Sequence, residues 1–90
     1  MNKKQLLQEV SKKLNLNYLE IVNVYDTIEQ IILENLKNKQ KISISGFGTF
    51  TTSYKEKKET INKFSQKPLI VQAKYEPKFK FSKVVKQKIN

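Results

Sequence analysis

Residues 44–50 read Ile-Ser-Gly-Phe-Gly-Thr-Phe, and they contain both glycines of the 90-residue chain. Glycine adopts backbone conformations that other residues avoid, so this stretch predicts the tightest turn of the chain. Residues 41–45, which lead into the glycines, alternate polar and apolar side chains, and this alternation is the period of a half-buried strand. Residues 49–58 after it form a second extended run rich in Thr, Ser, Phe and Tyr. The stretch therefore predicts a turn between two strands, not a phosphate-binding loop that opens a helix.

Two helices are predicted before this turn. Apolar residues recur at helical spacing over residues 3–14, and Asn2 is suited to cap that helix. Asn17, with Glu20 three residues later, resembles a capping box for a longer helix over residues 18–36. Three acidic residues of this helix lie largely off its apolar stripe and are interpreted as a solvated face: Asp26, Glu29 and Glu34.

The second half of the chain predicts a projecting hairpin followed by a short helix. Leu69 to Tyr75 form a further extended run, which Pro77 is predicted to end, and Ser82 is suited to cap a final helix that reaches Ile89. The intervening residues 59–68 carry turn-forming and charged side chains but little apolar content. Strands that lead into such a segment are predicted to project into solvent as a hairpin.

The charge of the chain is large and unevenly distributed. Eighteen lysines face eight acidic residues, a net charge of +10, and residues 55–90 alone hold eleven lysines against three acids. Such a concentration favours a polyanionic partner, of which nucleic acid is the commonest, over charge that only maintains solubility. All the basic residues are lysine. Because arginine supplies the planar fork that recognises guanine, this composition favours phosphate contact over recognition of base sequence.

Composition also excludes several classes of function. The chain has no His, no Cys and a single Asp, so the common nucleophile–base and metal-ligand sets cannot be assembled. We therefore expect no enzymatic activity, no cofactor, no metal and no small-molecule substrate. A chain of this size without disulfides or metals usually needs a partner chain, which predicts self-association.

The predicted location is the cytoplasm. The N-terminal residues lack the apolar segment of a signal peptide, and no apolar run approaches membrane-spanning length. The absence of cysteine suits a reducing compartment. A basic membrane-surface peptide is not favoured, because the most amphipathic helix, residues 18–36, is the least basic part of the chain.

Residues 44–50 resemble the glycine–phenylalanine signature of the HU and integration host factor family, and the whole chain can be laid on the pattern of that family without a gap. The resemblance implies an α+β fold with two N-terminal helices, a three-stranded antiparallel sheet with a long β-hairpin arm, and a short C-terminal helix, assembled as an intertwined homodimer. It implies a single domain over residues 1–90, with a helical base at about 1–40, the sheet and arm at about 41–77, the arm tip at about 59–68 and the C-terminal helix at about 82–89.

The function implied by this resemblance is architectural. The two arms of such a dimer wrap double-stranded DNA through the minor groove, a binding mode for which this family is a standard example. The chain is thus expected to bind DNA largely without sequence specificity and to bend and compact it in the nucleoid. Two alternatives are a site-specific bender of the integration host factor type, which the missing arginines disfavour, and a basic RNA-binding protein of ribosomal type.

The resemblance also assigns roles to individual residues. It matches Phe47, Phe50 and Phe79 to an aromatic dimer core, although aromatic rings among lysines can also stack on single-stranded bases. It matches seven positions to DNA contacts: Lys3, Lys55, Lys58, Asn62, Lys80, Lys83 and Lys86. Of these, the last two share one face of the final helix because they are three residues apart.

The arm tip departs from the family pattern. Lys63 stands at the position of the intercalating proline, and Ile61 stands at the position of an arginine. Lys63 is expected to contact DNA, but an ammonium cannot wedge between base pairs as an apolar group does. Phe64 or Ile61 can replace the wedge, or the arm can clamp DNA without kinking it, and both alternatives stay open.

Overall fold

The computed structural model of the chain describes residues 1–56, 58–61, 68–71 and 73–90. Its helices are α1 (Lys3–Leu14), α2 (Tyr18–Lys37) and α3 (Lys83–Ile89), and its strands are β1 (Ile42–Ile44), β2 (Gly48–Lys55), β3 (Lys58–Ile61), β4 (Pro68–Val71) and β5 (Lys74–Phe81). Strands β1, β2 and β5 form an antiparallel sheet in that order, and β3 pairs with β4. The predicted α+β class, with two N-terminal helices, a three-stranded sheet and a closing helix, is confirmed. The chain forms two compact units, residues 1–34 (the N-terminal unit) and residues 35–90 (the C-terminal unit).

Helix α1 is bounded by asparagines at both ends. The Asn2 side chain accepts a hydrogen bond from the Gln5 backbone N–H at 2.9 Å, and the Gln5 side chain accepts one from the Asn2 backbone N–H at 3.0 Å. This reciprocal pair is a capping box, so the predicted cap at Asn2 is confirmed. Beyond the last turn, Asn15 takes the left-handed conformation with φ of 53°. Asparagine tolerates this conformation better than most residues, and the helix ends there.

Helix α2 begins with a different cap from the one predicted. The Asn17 side chain accepts from the backbone N–H of Leu19 at 2.8 Å, two residues on, instead of forming the expected box with Glu20. A short asparagine side chain readily bonds to the backbone at that distance. At the other end, Lys39 has a φ of 59°, and the Gln40 N–H donates to the Asn35 carbonyl at 2.9 Å, as in a Schellman motif. The Lys39 ammonium then lies 4.2 Å from the centre of the Tyr75 ring, which ties this turn to β5.

The prediction that Pro77 ends a strand is wrong. The predicted run from Leu69 to Tyr75 belongs to two strands, since β4 ends at Val71 and β5 starts at Lys74 and continues through Pro77 to Phe81. Strand β5 lies at an edge of the sheet, and an edge strand tolerates a residue without an N–H on its open side.

The strands of the hairpin form a two-stranded ladder of their own, separate from the three-stranded sheet. Lys55 pairs with Lys74 at the end of the β2–β5 ladder, and Lys58 pairs with Val71 at the start of the β3–β4 ladder. The β3–β4 ladder ends where Ile61 pairs with Pro68. Residues 62–67, which include most of the predicted tip, lie outside the described residues. The proposed division into base, sheet, arm and tip stays a prediction.

The two glycines of the 44–50 stretch are required for different structural reasons. Gly46 has a φ of +77°, in a turn closed by the Phe47 N–H donating to the Ile44 carbonyl at 2.9 Å. Gly48 instead is needed for close approach: a β carbon at this position would lie 2.5 Å from Phe79 Cζ and 2.7 Å from the Lys80 carbonyl oxygen. The predicted turn between two strands is confirmed.

The alternation of side chains divides the three-stranded sheet into two faces. Phe50 pairs with Phe79, and Thr49 pairs with Lys80 on the opposite side. One side, the apolar sheet face, carries Ile42, Ile44, Phe50, Thr52, Tyr54, Tyr75, Pro77, Phe79 and Phe81. The other, the polar sheet face, carries Ser43, Thr49, Thr51, Ser53, Lys55, Lys74, Glu76, Lys78 and Lys80.

One copy of the chain leaves most of its apolar surface uncovered. Among the side chains that the structure describes, the buried large hydrophobic ones are Leu7 and Ile21, which are 4% and 8% exposed. Leu19 and Val24 on α2 are more than half exposed, as is Leu33. Exposed apolar area of this extent favours a partner.

No helix in the part of the chain that the structure describes has the length and apolar character required to span a bilayer.

Replacing Gly48 with Ala is expected to destabilise the fold by about 1–3 kcal/mol, because the added methyl group would overlap the Phe79 ring and a backbone carbonyl that cannot swing away. Urea denaturation would measure the loss, and NMR would show shifted Phe79 ring signals. Gly46→Ala is the control: it strains φ but meets no atom within 4 Å, so the Phe79 signals should stay unchanged. A Gly48→Ala variant with native stability and ring signals would contradict the assignment.

Candidate nucleic-acid interface

The net positive charge of the chain lies in one of its two units. Residues 1–34 hold four lysines and five acidic residues, whereas residues 35–90 hold fourteen lysines and three acidic residues. The net charge is therefore −1 in the N-terminal unit and +11 in the C-terminal unit. Any surface that attracts a polyanion by charge must be sought on the C-terminal unit.

The polar sheet face concentrates phosphate-binding groups on one side of the sheet. Its four lysines are Lys55, Lys74, Lys78 and Lys80, and they alternate along β2 and β5 with residues of the apolar sheet face. Hydroxyl groups lie among them, and the Ser43 Oγ and Thr49 Oγ1 atoms are 3.3 Å apart. Ammonium and hydroxyl groups both donate hydrogen bonds to phosphate oxygens, so this face is suited to a nucleic-acid backbone.

Helix α3 adds a basic concavity at the end of the sheet. It has a volume of about 290 Å³ and is lined by Thr49, Lys80, Phe81, Ser82, Lys83 and Lys86. The start of the helix is held in two ways: the Ser82 Oγ accepts from the Val85 N–H at 3.4 Å, and the Ser82 N–H donates to the Phe47 carbonyl at 2.9 Å. The cap predicted at Ser82 is confirmed.

The structure thus brings together three of the lysines that the family resemblance matches to DNA contacts. Lys80 belongs both to the polar sheet face and to the concavity, and Lys83 and Lys86 line the concavity with it. The sheet and helix therefore share one continuous basic surface. We call it the lysine track, and it consists of Lys55, Lys74, Lys78, Lys80, Lys83 and Lys86.

The predicted aromatic residues form a cluster in the same unit. The ring centres of Phe50 and Phe79 are 4.6 Å apart, and those of Phe47 and Phe79 are 5.8 Å apart. Phe81 joins them edge-on, 4.9 Å from Phe79, although the sequence prediction omitted it. Its spacing of two residues from Phe79 on one strand was the available signal. Phe47 remains 48% exposed and Phe81 49% exposed, so the cluster keeps an open surface. Its role as a dimer core stays a prediction.

Lys3 lies in the N-terminal unit and is already engaged by acidic residues. Its Nζ atom is 3.0 Å from Asp26 Oδ1 and 4.0 Å from Glu29 Oε2, and it lies 4.9 Å from the centre of the Tyr25 ring. The hydrogen bond to Asp26 raises the pKa of the Lys3 ammonium above its ordinary value. The side chains of Asp26 and Glu29 are 47% and 49% exposed, in keeping with a solvated helix face, but they also hold this lysine. A phosphate at Lys3 would have to compete with both carboxylates.

The remaining predicted contacts belong to the arm. Lys55 is the last residue of β2 and is exposed, and Lys58 is the first residue of β3. Asn62, Lys63 and Phe64 lie outside the described residues. The alternatives for the tip, wedging or clamping, therefore stay predictions.

Comparison with known proteins now identifies the family. A family model described as bacterial DNA-binding protein matches residues 1–90. The chain belongs to this family. The DNA-binding protein HU of Thermotoga maritima is 33% identical over 89 residues, which cover 99% of each chain.

Solved structures agree with this assignment. The structure of HU from Thermotoga maritima superposes with a TM-score of 0.70 at 30% identity and covers all of both chains. The HU chain of an Anabaena HU–DNA cocrystal structure superposes with a TM-score of 0.86, covering 99% of this chain and 97% of that one; at 24% identity, this likeness supports the fold. The resemblance to the HU family inferred from residues 44–50 is confirmed.

The Lys3 ion pair leads to a test by titration. Asp26→Asn should lower the pKa of the Lys3 ammonium toward its ordinary value of 10.5, because the hydrogen bond to Asp26 is the largest cause of the shift. Glu29→Gln should lower it less, and Glu20→Gln, at the start of α2, serves as the control that leaves it unchanged. NMR titration of the Lys3 side chain would measure these values.

The same pair has a defined effect on stability. The folded-state pKa is the raised one, so the pair stabilises the fold below pH 10.5 and stops doing so as the pH rises through the raised value. An unchanged Lys3 pKa in Asp26→Asn would contradict the assigned contact.

Proposed function

We propose that this chain is an architectural protein that binds double-stranded DNA as a homodimer, largely without sequence specificity, and bends and compacts it. The observation that carries this proposal is the lysine track, which places six ammonium groups on one surface of a family member without arginine. The relatives support it, since one is named DNA-binding protein HU and another was crystallised with DNA. The role is structural and non-enzymatic, and its place is the nucleoid in the cytoplasm.

Binding would be driven by neutralisation of phosphates. Each lysine that contacts a phosphate releases condensed counterions, a gain that does not depend on base sequence. Lysine is a hydrated point charge and does not match the two acceptors of guanine as arginine does. Any preference among duplexes should then come from the ease with which a DNA sequence bends. The same reasoning disfavours a site-specific bender of the integration host factor type.

A second copy of the chain is the partner proposed for the uncovered apolar surface. The aromatic cluster in the C-terminal unit and the exposed apolar residues of α2 each lack cover within one chain. Burial of such surface is the main favourable term in protein association. A dimer would also present two lysine tracks and two arms, which one duplex can contact together.

The arm gives the dimer a means to hold bent DNA. The described part of the arm is the β3–β4 ladder, whose four pairs run from Lys58–Val71 to Ile61–Pro68, or about 13 Å of strand. An isolated two-stranded hairpin is marginally stable in water, so contacts with DNA would stabilise it. Asn62, Lys63 and Phe64 would then meet the minor groove, with Phe64 or Ile61 as the wedge if the arm kinks the duplex.

Dimerisation can be tested at the aromatic cluster. Phe47→Ala should cost about 3–5 kcal/mol and dissociate the assembly, because it removes the ring that contacts both Phe79 and Phe81. Sedimentation equilibrium and concentration-dependent thermal unfolding would measure the change. Ile89→Ala, which truncates a 77% exposed side chain, is the control and should remain a dimer. A folded, stable wild-type monomer at micromolar concentration would refute the proposal.

DNA binding can be tested at α3. Replacing Lys83 and Lys86 with Ala should weaken binding to AT-rich and GC-rich duplexes alike. It should also flatten the log–log dependence of affinity on salt by about 0.9 for each phosphate that is no longer neutralised. Fluorescence titrations over a range of salt concentrations would measure this slope. Replacing Lys12 and Lys13 of α1 makes the same charge change in the N-terminal unit and should leave the slope nearly unchanged.

Two results would count against the proposed mode of binding. A loss of affinity for one duplex sequence but not another would show that these lysines recognise bases. Tighter binding to duplex RNA than to duplex DNA at the same salt concentration would favour the RNA-binding alternative.

A further inference from the structure

The polar sheet face contains a carboxylate among its lysines. Glu76 lies on β5 between Lys74 and Lys78, and its backbone pairs with Ser53 of β2. Because same-face residues on a strand are two apart, Glu76 lies directly next to both lysines. It is the one acidic residue on the polar sheet face within the described strands β1, β2 and β5.

Glu76 is engaged with one of these lysines. Its Oε1 atom is 3.8 Å from the Lys74 Nζ atom, and the side chains are 39% and 61% exposed. An exposed ion pair of this kind contributes little to stability, typically less than about 1 kcal/mol. Stability alone is thus a weak reason for a carboxylate at this position.

The Glu76 carboxylate is expected to affect the binding of a polyanion more than it affects folding. A phosphate that approaches Lys74 must displace the Glu76 carboxylate or share the ammonium with it. A phosphate that approaches Lys78 meets the same negative charge on the neighbouring same-face position. Both effects oppose the binding of DNA, and both act in the middle of the lysine track.

We propose that Glu76 limits the affinity of the lysine track for duplex DNA, by withholding Lys74 from phosphate contact and by repelling the backbone that crosses the polar sheet face. This inference rests on the proposed function. Through it, the chain holds DNA less tightly, and with a weaker dependence on salt, than its number of lysines would give. A weaker hold speeds the release of DNA.

The test compares Glu76→Gln with the wild-type chain on one random-sequence duplex. Glutamine keeps the shape of the side chain and removes its charge. Affinity at low salt should rise by about two- to fivefold, the range that corresponds to one exposed charge interaction. The salt dependence should steepen by up to about 0.9, since Lys74 becomes free to displace one counterion. Glu9→Gln, an exposed acid of α1, makes the same charge change in the N-terminal unit and should alter neither value.

A double-mutant cycle with Lys74 sharpens the test. Lys74→Gln should reduce affinity only slightly in the wild-type background, where Glu76 already neutralises this lysine. In the Glu76→Gln background the same substitution should cost most of the affinity gained. Equal losses in the two backgrounds would overturn the proposal, because Glu76 would then not control Lys74.

The remaining outcomes separate this proposal from its alternatives. Weaker binding by Glu76→Gln would overturn it and indicate that the carboxylate accepts hydrogen bonds from base amino groups. Unchanged affinity with a lower unfolding temperature would also overturn it and assign Glu76 to the fold, where it would offset the repulsion between the paired Lys55 and Lys74. Failure of the wild-type chain itself to bind duplex DNA would overturn the proposed function instead.

Discussion

Strands β2 and β5 can pair in the observed register because residue 48 has no side chain. The Phe79 ring and the Lys80 carbonyl occupy the space where a β carbon would stand. A slip of one residue would turn every side chain of β5 to the other side of the sheet. Phe79 would then leave the aromatic cluster, and Lys80 would enter it. The separation of the sheet into an apolar face and a lysine-bearing face thus depends on this one contact.

The two faces have different proposed partners, and the glycine turn joins them. Phe47, at the end of the turn, contributes its ring to the aromatic cluster, while its carbonyl accepts from the Ser82 N–H at the start of α3. A change that displaces Phe47 therefore also displaces the helix that carries Lys83 and Lys86. In the proposed function, this backbone hydrogen bond would link assembly to DNA binding without any need for a conformational switch.

Sequence reasoning succeeded where the determinant is local. The Asn2 cap, the glycine turn and the closing helix at Ser82 depend on residues within a few positions of each other, and the structure has all three. It failed where the determinant is distant. Pro77 is compatible with β5 only because that strand lies at a sheet edge, and the Lys3–Asp26 ion pair joins two helices across 23 positions of sequence. Neither the edge nor the ion pair can be predicted before the tertiary arrangement is known.

The candidate site shows the same division. The grouping of Lys80, Lys83 and Lys86 was predicted, because the spacing within the helix and the family pattern both indicate it. The position of Glu76 on the polar sheet face was not predicted, because only the β2–β5 register shows that this carboxylate shares a face with four lysines. The omission of Phe81 has a similar cause: its contact with Phe47 requires the turn to bring residue 47 next to the end of β5.

An all-lysine surface also determines how binding can be controlled. The chain has no histidine, the side chain whose ordinary pKa lies nearest to neutral pH, so a histidine-based pH switch is excluded. Control must come from ions that compete for the ammonium groups. Salt in solution is one such competitor, and it acts on every lysine alike. Carboxylates of the protein are the other, and they act on chosen positions: Asp26 on Lys3 and Glu76 on Lys74. The number of lysines therefore sets the upper limit of affinity, and the position of each nearby carboxylate decides how much of that limit the protein reaches.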